Sequence, residues 1–251
     1  MDVLFGKPDD NFLKLERQLD NESEIENTLV LVPELFLTGY SKQALEQTAF
    51  TEDTGEVIDR LISICDKHKI YLYGSIAEFD GVAYYNTGVL VSSSGIVSKY
   101  RKSHLFGPMG EKRLFSNGVD ISTGIINKVK FGLSICYDLR FPVMYQLLAD
   151  LDIDVLLIVA EWPNTRINHW TALLKARSIE NQMFVVGLNR VGSDPDYIYG
   201  GNSAVYSPFG EFVGGILHEE EASLFLDLNL DEISEFRDKF DVREDRVFYV
   251  S

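Results

Sequence analysis

Short apolar runs of strand length alternate with stretches of helical spacing along the whole chain, and no linker or composition break interrupts them. Thr28–Val32 reads as a buried strand stopped by Pro33, and Ile153–Ala160 is apolar throughout. Lys69–Ala77, Tyr84–Val91, Ile96–Lys102, Ile126–Ile135, Met183–Leu188, Gly201–Tyr206, Glu211–Leu217 and Ala222–Leu228 also read as strands. Between them, Phe12, Leu15 and Leu19 share a helical face, as do Val57, Leu61, Ile64 and Cys65. Val143–Ala149, Ile167–Ile179 and Asp231–Phe240 complete the helices. This pattern predicts one α/β domain over 1–251, built of sheet layers covered by helices. No short-period repeat or low-complexity segment argues otherwise.

Charge narrows the partners. With 23 Lys+Arg against 39 Asp+Glu, the net charge of −16 disfavours nucleic acid and anionic membrane surfaces. The two cysteines form no disulfide framework, which points to a reducing compartment. No apolar run reaches transmembrane length, and Val3–Phe5 is too short for a signal-peptide core, so the expectation is a soluble cytoplasmic protein. His68, His104, His169 and His218 lie scattered without ligand spacing, and no metal or cofactor is expected.

Three polar residues share one position, the end of a predicted strand: Glu34, Lys102 and Cys136. Sites in layered α/β folds gather at the carboxyl ends of strands. A cysteine at a strand-to-helix turn can present its sulfur beside free backbone N–H groups. A carboxylate held against the thiol can take its proton, and a lysine cation can stabilise thiolate and oxyanion. Each residue alone admits a plainer reading: Cys136 as a buried core cysteine, Glu34 as a helix-cap carboxylate, Lys102 as a surface charge. Cys65, on an apolar helical face, reads as core. The loop His104–Gly118 is long enough to be functional.

Leu31-Val-Pro-Glu-Leu-Phe-Leu-Thr-Gly-Tyr40, Lys99-Tyr-Arg-Lys-Ser-His-Leu105 and Leu133-Ser-Ile-Cys-Tyr-Asp-Leu-Arg-Phe-Pro142 resemble the three motif blocks of the nitrilase (carbon–nitrogen hydrolase) superfamily, in its order. Trp162-Pro163, Lys175-Ala-Arg-Ser-Ile-Glu-Asn-Gln182, Gly187-Leu-Asn-Arg-Val-Gly192 and Gly201-Asn-Ser-Ala-Val-Tyr-Ser-Pro-Phe-Gly210 extend the likeness over nearly the whole chain. The resemblance implies a four-layer αββα sandwich, paired as a homodimer or larger homo-oligomer. It also implies a Glu-Lys-Cys triad at Glu34, Lys102 and Cys136, with Glu111 as a second glutamate and an oxyanion hole from Lys102 and the Tyr137 N–H. A small-molecule amide would be hydrolysed through a cysteinyl thioester, without a cofactor.

Cys-Tyr-Asp-Leu-Arg-Phe-Pro, Trp-Pro and Lys-Ala-Arg-Ser-Ile-Glu-Asn-Gln look most like the ω-amidase branch, whose substrates are the ω-amides of 2-oxo acids such as 2-oxoglutaramate and 2-oxosuccinamate. Such a substrate needs a cation at its far end, for which Arg140 and Arg166 are candidates. Arg140 could instead pair with Asp138 or a helix end. Trp162 and Phe106 wall the pocket or belong to the core. An N-carbamoyl amide hydrolase or a nitrilase would use the same triad, and a non-catalytic binding member remains a reading of another class. Two departures stand out. The family's opening strand, ending in glutamine, is missing before Met1-Asp2-Val3, so the expectation is a sandwich lacking that strand through truncation or a mis-set start. Asn202 stands where histidine is common, and can supply a comparable hydrogen bond.

Overall fold

The computed structural model describes residues 1–217 and 219–247. His218, among the histidines weighed above, lies outside the described residues.

Helix α1 (Pro8–Asp20) starts with proline in its first turn and Asp9 and Asp10 beside it, both suited to a helix N-terminus. Strand β1 (Leu29–Leu31), helix α2 (Lys42–Thr48) and helix α3 (Glu56–His68) follow. Strands β2 (Tyr71–Phe79), β3 (Tyr84–Ser92) and β4 (Gly95–Arg101) form an antiparallel meander, and β1 joins β2 in parallel to complete a four-stranded sheet.

The second half builds a six-stranded sheet from β5 (Ser122–Ile126), β6 (Val129–Ile135), β7 (Val155–Ala160) and β8 (Phe184–Asn189), then β11 (Ser203–Tyr206) and β12 (Phe212–Ile216). A small hairpin, β9 (Val191–Ser193) and β10 (Ile198–Gly200), interrupts it. The parallel centre, β6–β7–β8, uses helices α4 (Pro142–Asp150) and α5 (Ile167–Asn181) as crossovers. That explains why β7 is apolar without alternation, since both its faces are buried. A short helix, α6 (Asp231–Arg237), comes last.

Four layers result. Phe12, Leu15 and Leu19 of α1 and Leu61, Ile64 and Cys65 of α3 pack with Leu72, Val89 and Val91 on the outer face of the first sheet. Leu148 of α4 and Trp170 and Leu174 of α5 cover the second. The inner faces meet directly: Leu90 and Tyr100 share a core with Leu133 and Ile135, and the Tyr73 hydroxyl donates across the layers to the Ser134 carbonyl at 3.0 Å. This is the expected αββα sandwich.

Two strand expectations change. Ile126–Ile135 is not one strand: Ile126 ends β5, Asn127 and Lys128 turn the chain at φ 48° and 73°, and β6 begins at Val129. Ala222–Leu228 is irregular and exposed; its alternating pattern finds no partner, and β12 remains the edge of its sheet. Cys65 is core, as expected. Burial pushes its thiol up to about 12, and the sulfur lies 3.7 Å from the Val91 carbonyl. Cys65→Ala should therefore leave turnover unchanged and cost about 1 kcal/mol of stability, measurable by denaturant unfolding.

Candidate active site

Strand direction brings the first two groups together. β1 is parallel to β2, and β4 is antiparallel to a strand itself antiparallel to β2, so β1 and β4 point the same way. Glu34 and Lys102, just past their ends, therefore emerge at one edge. Cys136 arrives from the facing sheet at the end of β6. Its backbone takes φ 47°, a left-handed conformation that costs an L-residue about 1–2 kcal/mol. The chain enters a 3₁₀ turn there, Cys136–Arg140, whose opening N–H groups have no intrahelical partners.

The turn is anchored at both ends. The Asp138 carboxylate accepts from Ile135 N–H (3.0 Å), the Tyr100 hydroxyl (2.9 Å) and His104 N–H (3.0 Å), and pairs with His104 Nδ1 at 2.8 Å. Arg177 of α5 reaches back, its Nη2 donating to the Leu139 carbonyl at 2.8 Å. Asp138 thus ties the cysteine turn to the Lys102 segment. It forms none of the ion pair with Arg140 that the sequence left open.

Lys102 lies at the centre, fully buried. Its Nζ donates to Glu34 Oε1 at 2.8 Å and to both Glu111 oxygens at 2.8 and 2.9 Å. Glu34 also accepts from the Tyr40 hydroxyl (3.0 Å), Asn86 Nδ2 (2.8 Å) and Glu161 N–H (2.9 Å). Glu111 accepts from Asn86 Nδ2 (3.1 Å) and Phe106 N–H (2.6 Å). Its loop contains two 3₁₀ turns, Gly107–Met109 and Glu111–Arg113. The loop closes where Gly118 N–H meets the Lys102 carbonyl at 2.9 Å. A Cβ at Gly118 would fall 2.0 Å from the Arg101 carbonyl oxygen, so only glycine permits that approach.

Burial and charge oppose one another here. Burial raises the Glu34 carboxyl, but the Lys102 charge and hydrogen bonds bring it below its ordinary range. At Glu111, burial wins over Lys102 and the carboxyl sits above that range. Burial alone would lower Lys102; Glu111 and Glu34 more than compensate and hold its ammonium well above the usual value. Burial and the Glu34 charge push the Cys136 thiol well up, with Lys102 opposing. These opposing shifts favour a thiol at Cys136 and an anionic carboxylate at Glu34 beside it.

A narrow cavity opens onto Cys136. Tyr137, Phe106, Arg140, Trp162 and Arg166, all singled out in the sequence, line it. Trp162 is both core and wall: it is buried, and its indole N–H donates to the Arg166 carbonyl at 2.8 Å. The Arg140 guanidinium lies 4.9 Å from the Trp162 ring and donates to His169 Nδ1 at 3.0 Å, while Arg166 lies 4.9 Å from the Phe106 ring. A larger open groove beside α6 has mixed charges and none of these residues, so its size carries no chemistry. Asn202 takes a left-handed φ of 58°, which asparagine tolerates well, and its carbonyl accepts the Trp170 indole N–H at 2.8 Å. Among the described residues no acidic, histidine and cysteine side chains cluster as a metal site.

Tyr40, Asn86 and Glu161 escaped the sequence reading. Glu161 carries the mark that found the others, an acid just past an apolar strand. Asn86 left a fainter one, a buried amide inside β3.

Residues 6–238 match the carbon-nitrogen hydrolase family model. The chain belongs to that family. It is a carbon–nitrogen hydrolase of the amidase type. The 2-oxoglutaramate amidase of Bacillus subtilis is 37% identical, over 97% of this chain and 94% of the relative. The ω-amidase YafV of Yersinia enterocolitica is 34% identical, over 87% of this chain and 84% of the relative. Among solved structures, the hydrolase XC1258 of Xanthomonas campestris, a CN-hydrolase superfamily protein bearing an arsenic adduct in its active site, superposes with a TM-score of 0.91 at 27% identity, covering 100% of this chain and 96% of that one. The carbon–nitrogen hydrolase fold thus runs through the residues that the family model matches.

Proposed function

We propose that this hydrolase cleaves the ω-amide of a small 2-oxo dicarboxylic acid, of the 2-oxoglutaramate type, through a thioester on Cys136. The observation that carries the reading is a cavity lined by the Cys136 thiol and two arginines, the thiol lying beside Glu34 of the buried Glu34–Lys102–Glu111 cluster. The relatives' ω-amide substrates agree with it.

Cys136 Sγ attacks the amide carbonyl as Glu34 takes the thiol proton. Lys102 and the Tyr137 N–H meet the developing oxyanion. Collapse breaks the C–N bond, and Glu34 returns the proton to the departing ammonia. Water, deprotonated by Glu34, then attacks the thioester, releasing the acid and the thiol. Glu111 keeps Lys102 in place and charged. Arg140 and Arg166 bind the distal carboxylate, their guanidinium planes held on aromatic rings.

Ammonia release from 2-oxoglutaramate, glutamine, an N-carbamoyl amino acid and a simple nitrile tests this directly. Release from the keto amide alone is expected. Preference for another of the four would move the substrate assignment, and silence with all four would favour a binding role. Arg140→Met and Arg166→Met should each raise KM for the keto amide roughly 10–100-fold, the worth of a charge-assisted contact. The KM for an amide lacking the distal carboxylate should stay unchanged. Equal losses on both substrates would remove the arginines from carboxylate recognition.

A further inference from the structure

Three buried glutamates, not two, face this site. Glu161, just past β7, is fully buried, and its main chain touches two reacting groups: its N–H donates to Glu34 Oε2 at 2.9 Å, and its carbonyl lies 3.9 Å from Cys136 Sγ. Its side chain turns to Arg190, whose Nη1 reaches Oε1 at 3.1 Å. Arg190 is equally buried. Its remaining donors hold Val3 O (2.6 Å), Asp2 Oδ1 (3.2 Å), Ser193 O (3.3 Å) and Val191 O (3.3 Å), and the Tyr199 ring lies 4.4 Å from its guanidinium.

Counting donors separates the three acids. Glu34 and Glu111 each accept from several N–H or O–H groups, as an ionised carboxylate requires. Glu161 accepts from Arg190 alone, and among the described residues its Oε2 has no hydrogen-bond partner. Charge balance agrees. Lys102 pairs with Glu34 and Glu111, while Arg190, which pairs with Glu161, is shared with Asp2. A buried carboxyl that shares its cation with another acid and accepts from a single donor keeps a proton.

We propose that Glu161 holds this proton in the resting enzyme and acts as a positioning residue, clamped by Arg190 so that its main chain orients Glu34 and Cys136. The groups facing it fit. Glu34 and Tyr40 come from the segment after β1, Cys136 from the end of β6, Arg190 from beyond β8, and Asp194 and Tyr199 from the β9–β10 hairpin. Burial raises the carboxyl to about 8 against the pull of Arg190, with Glu34 and Asp194 adding to the rise. Once ionised, Glu161 sets a second negative charge beside Glu34 and the sulfur, opposing the charge that develops during attack.

The test has an arm independent of turnover; its kinetic arm alone rests on the hydrolase reading. In protein labelled with carbon-13 at the glutamate carboxyls, the wild type should show a protonated signal at pH 7 that titrates near pH 8. Glu161→Gln should abolish that signal and Glu111→Gln should keep it. Because the folded value is raised, this group's effect on wild-type stability declines between its ordinary range and pH 8, so wild-type Tm should fall relative to Glu161→Gln over that window. In the kinetic arm, the alkaline midpoint of kcat/KM should move up by at least one pH unit in Glu161→Gln. A merely structural role would scale the profile without moving the midpoint. Absence of the protonated signal in the wild type, its survival in Glu161→Gln, or an unmoved midpoint would overturn the proposal. If the variant fails to fold, the wild-type signal and its loss or retention in Glu111→Gln decide. A wild type without amidase activity would count against the hydrolase reading, leaving the carboxyl signal to judge this one.

Discussion

Cys136→Ala is expected to abolish ammonia release, by roughly 10⁴-fold or more, because in the proposed reaction the nucleophile and its proton relay act as one unit. The fold should survive. The residue is buried, the loss is one sulfur atom, and alanine accepts the φ of 47° at the same cost as cysteine. Asp138 and Arg177 hold the turn through contacts that do not involve the sulfur. A Tm within a few degrees of wild type together with lost turnover is the expected pair of results. Lost turnover with a collapsed Tm would instead make Cys136 a packing residue.

Lys102→Met should be the most damaging single change overall. It strands Glu34 and Glu111, both fully buried, without their shared cation. Breaking a buried pair in this way costs about 3–5 kcal/mol, on the order of 10 °C in Tm for a chain of this size. Activity should fall at least roughly 10³-fold with it, since the cation proposed to meet the oxyanion is gone. The pH dependence separates this from simple loss of packing. In the wild type, Glu34 is held below its ordinary range, so its contribution is present above that range and is lost as pH falls through the lowered value. In the variant both carboxyls rise, so burying them costs more as pH increases. The Tm gap between variant and wild type should therefore narrow from pH 8 to pH 5. A gap constant with pH would mean that the carboxylates are not what Lys102 holds.

Much of the site was legible because it is written at strand ends. Glu34, Lys102 and Cys136 each follow an apolar run, and such runs can be read from local pattern alone. That their ends converge depends on strand direction and on the stacking of two sheets, which the residues did not show and the family likeness supplied. Glu161 bore the same mark and was passed over, because its importance comes from Arg190, distant in sequence. Asn86 was hidden inside a strand. The misread segments have physical causes as well. Ala222–Leu228 has a strand's alternation without a partner, and Asn127–Lys128 folds one apparent strand into two by local backbone turns. Helix α2 was missed because only Ala44 and Leu45 of its residues are buried, too few to make a periodic face.

The central claim is a covalent acyl-enzyme on one cysteine. The most direct measurement is rapid acid quenching of the wild type during turnover of 2-oxoglutaramate, followed by peptide mass analysis. The account predicts an adduct of the substrate's mass less ammonia on the peptide containing Cys136, absent from Cys136→Ala. An adduct on Cys65, or turnover that persists in Cys136→Ala, would contradict it.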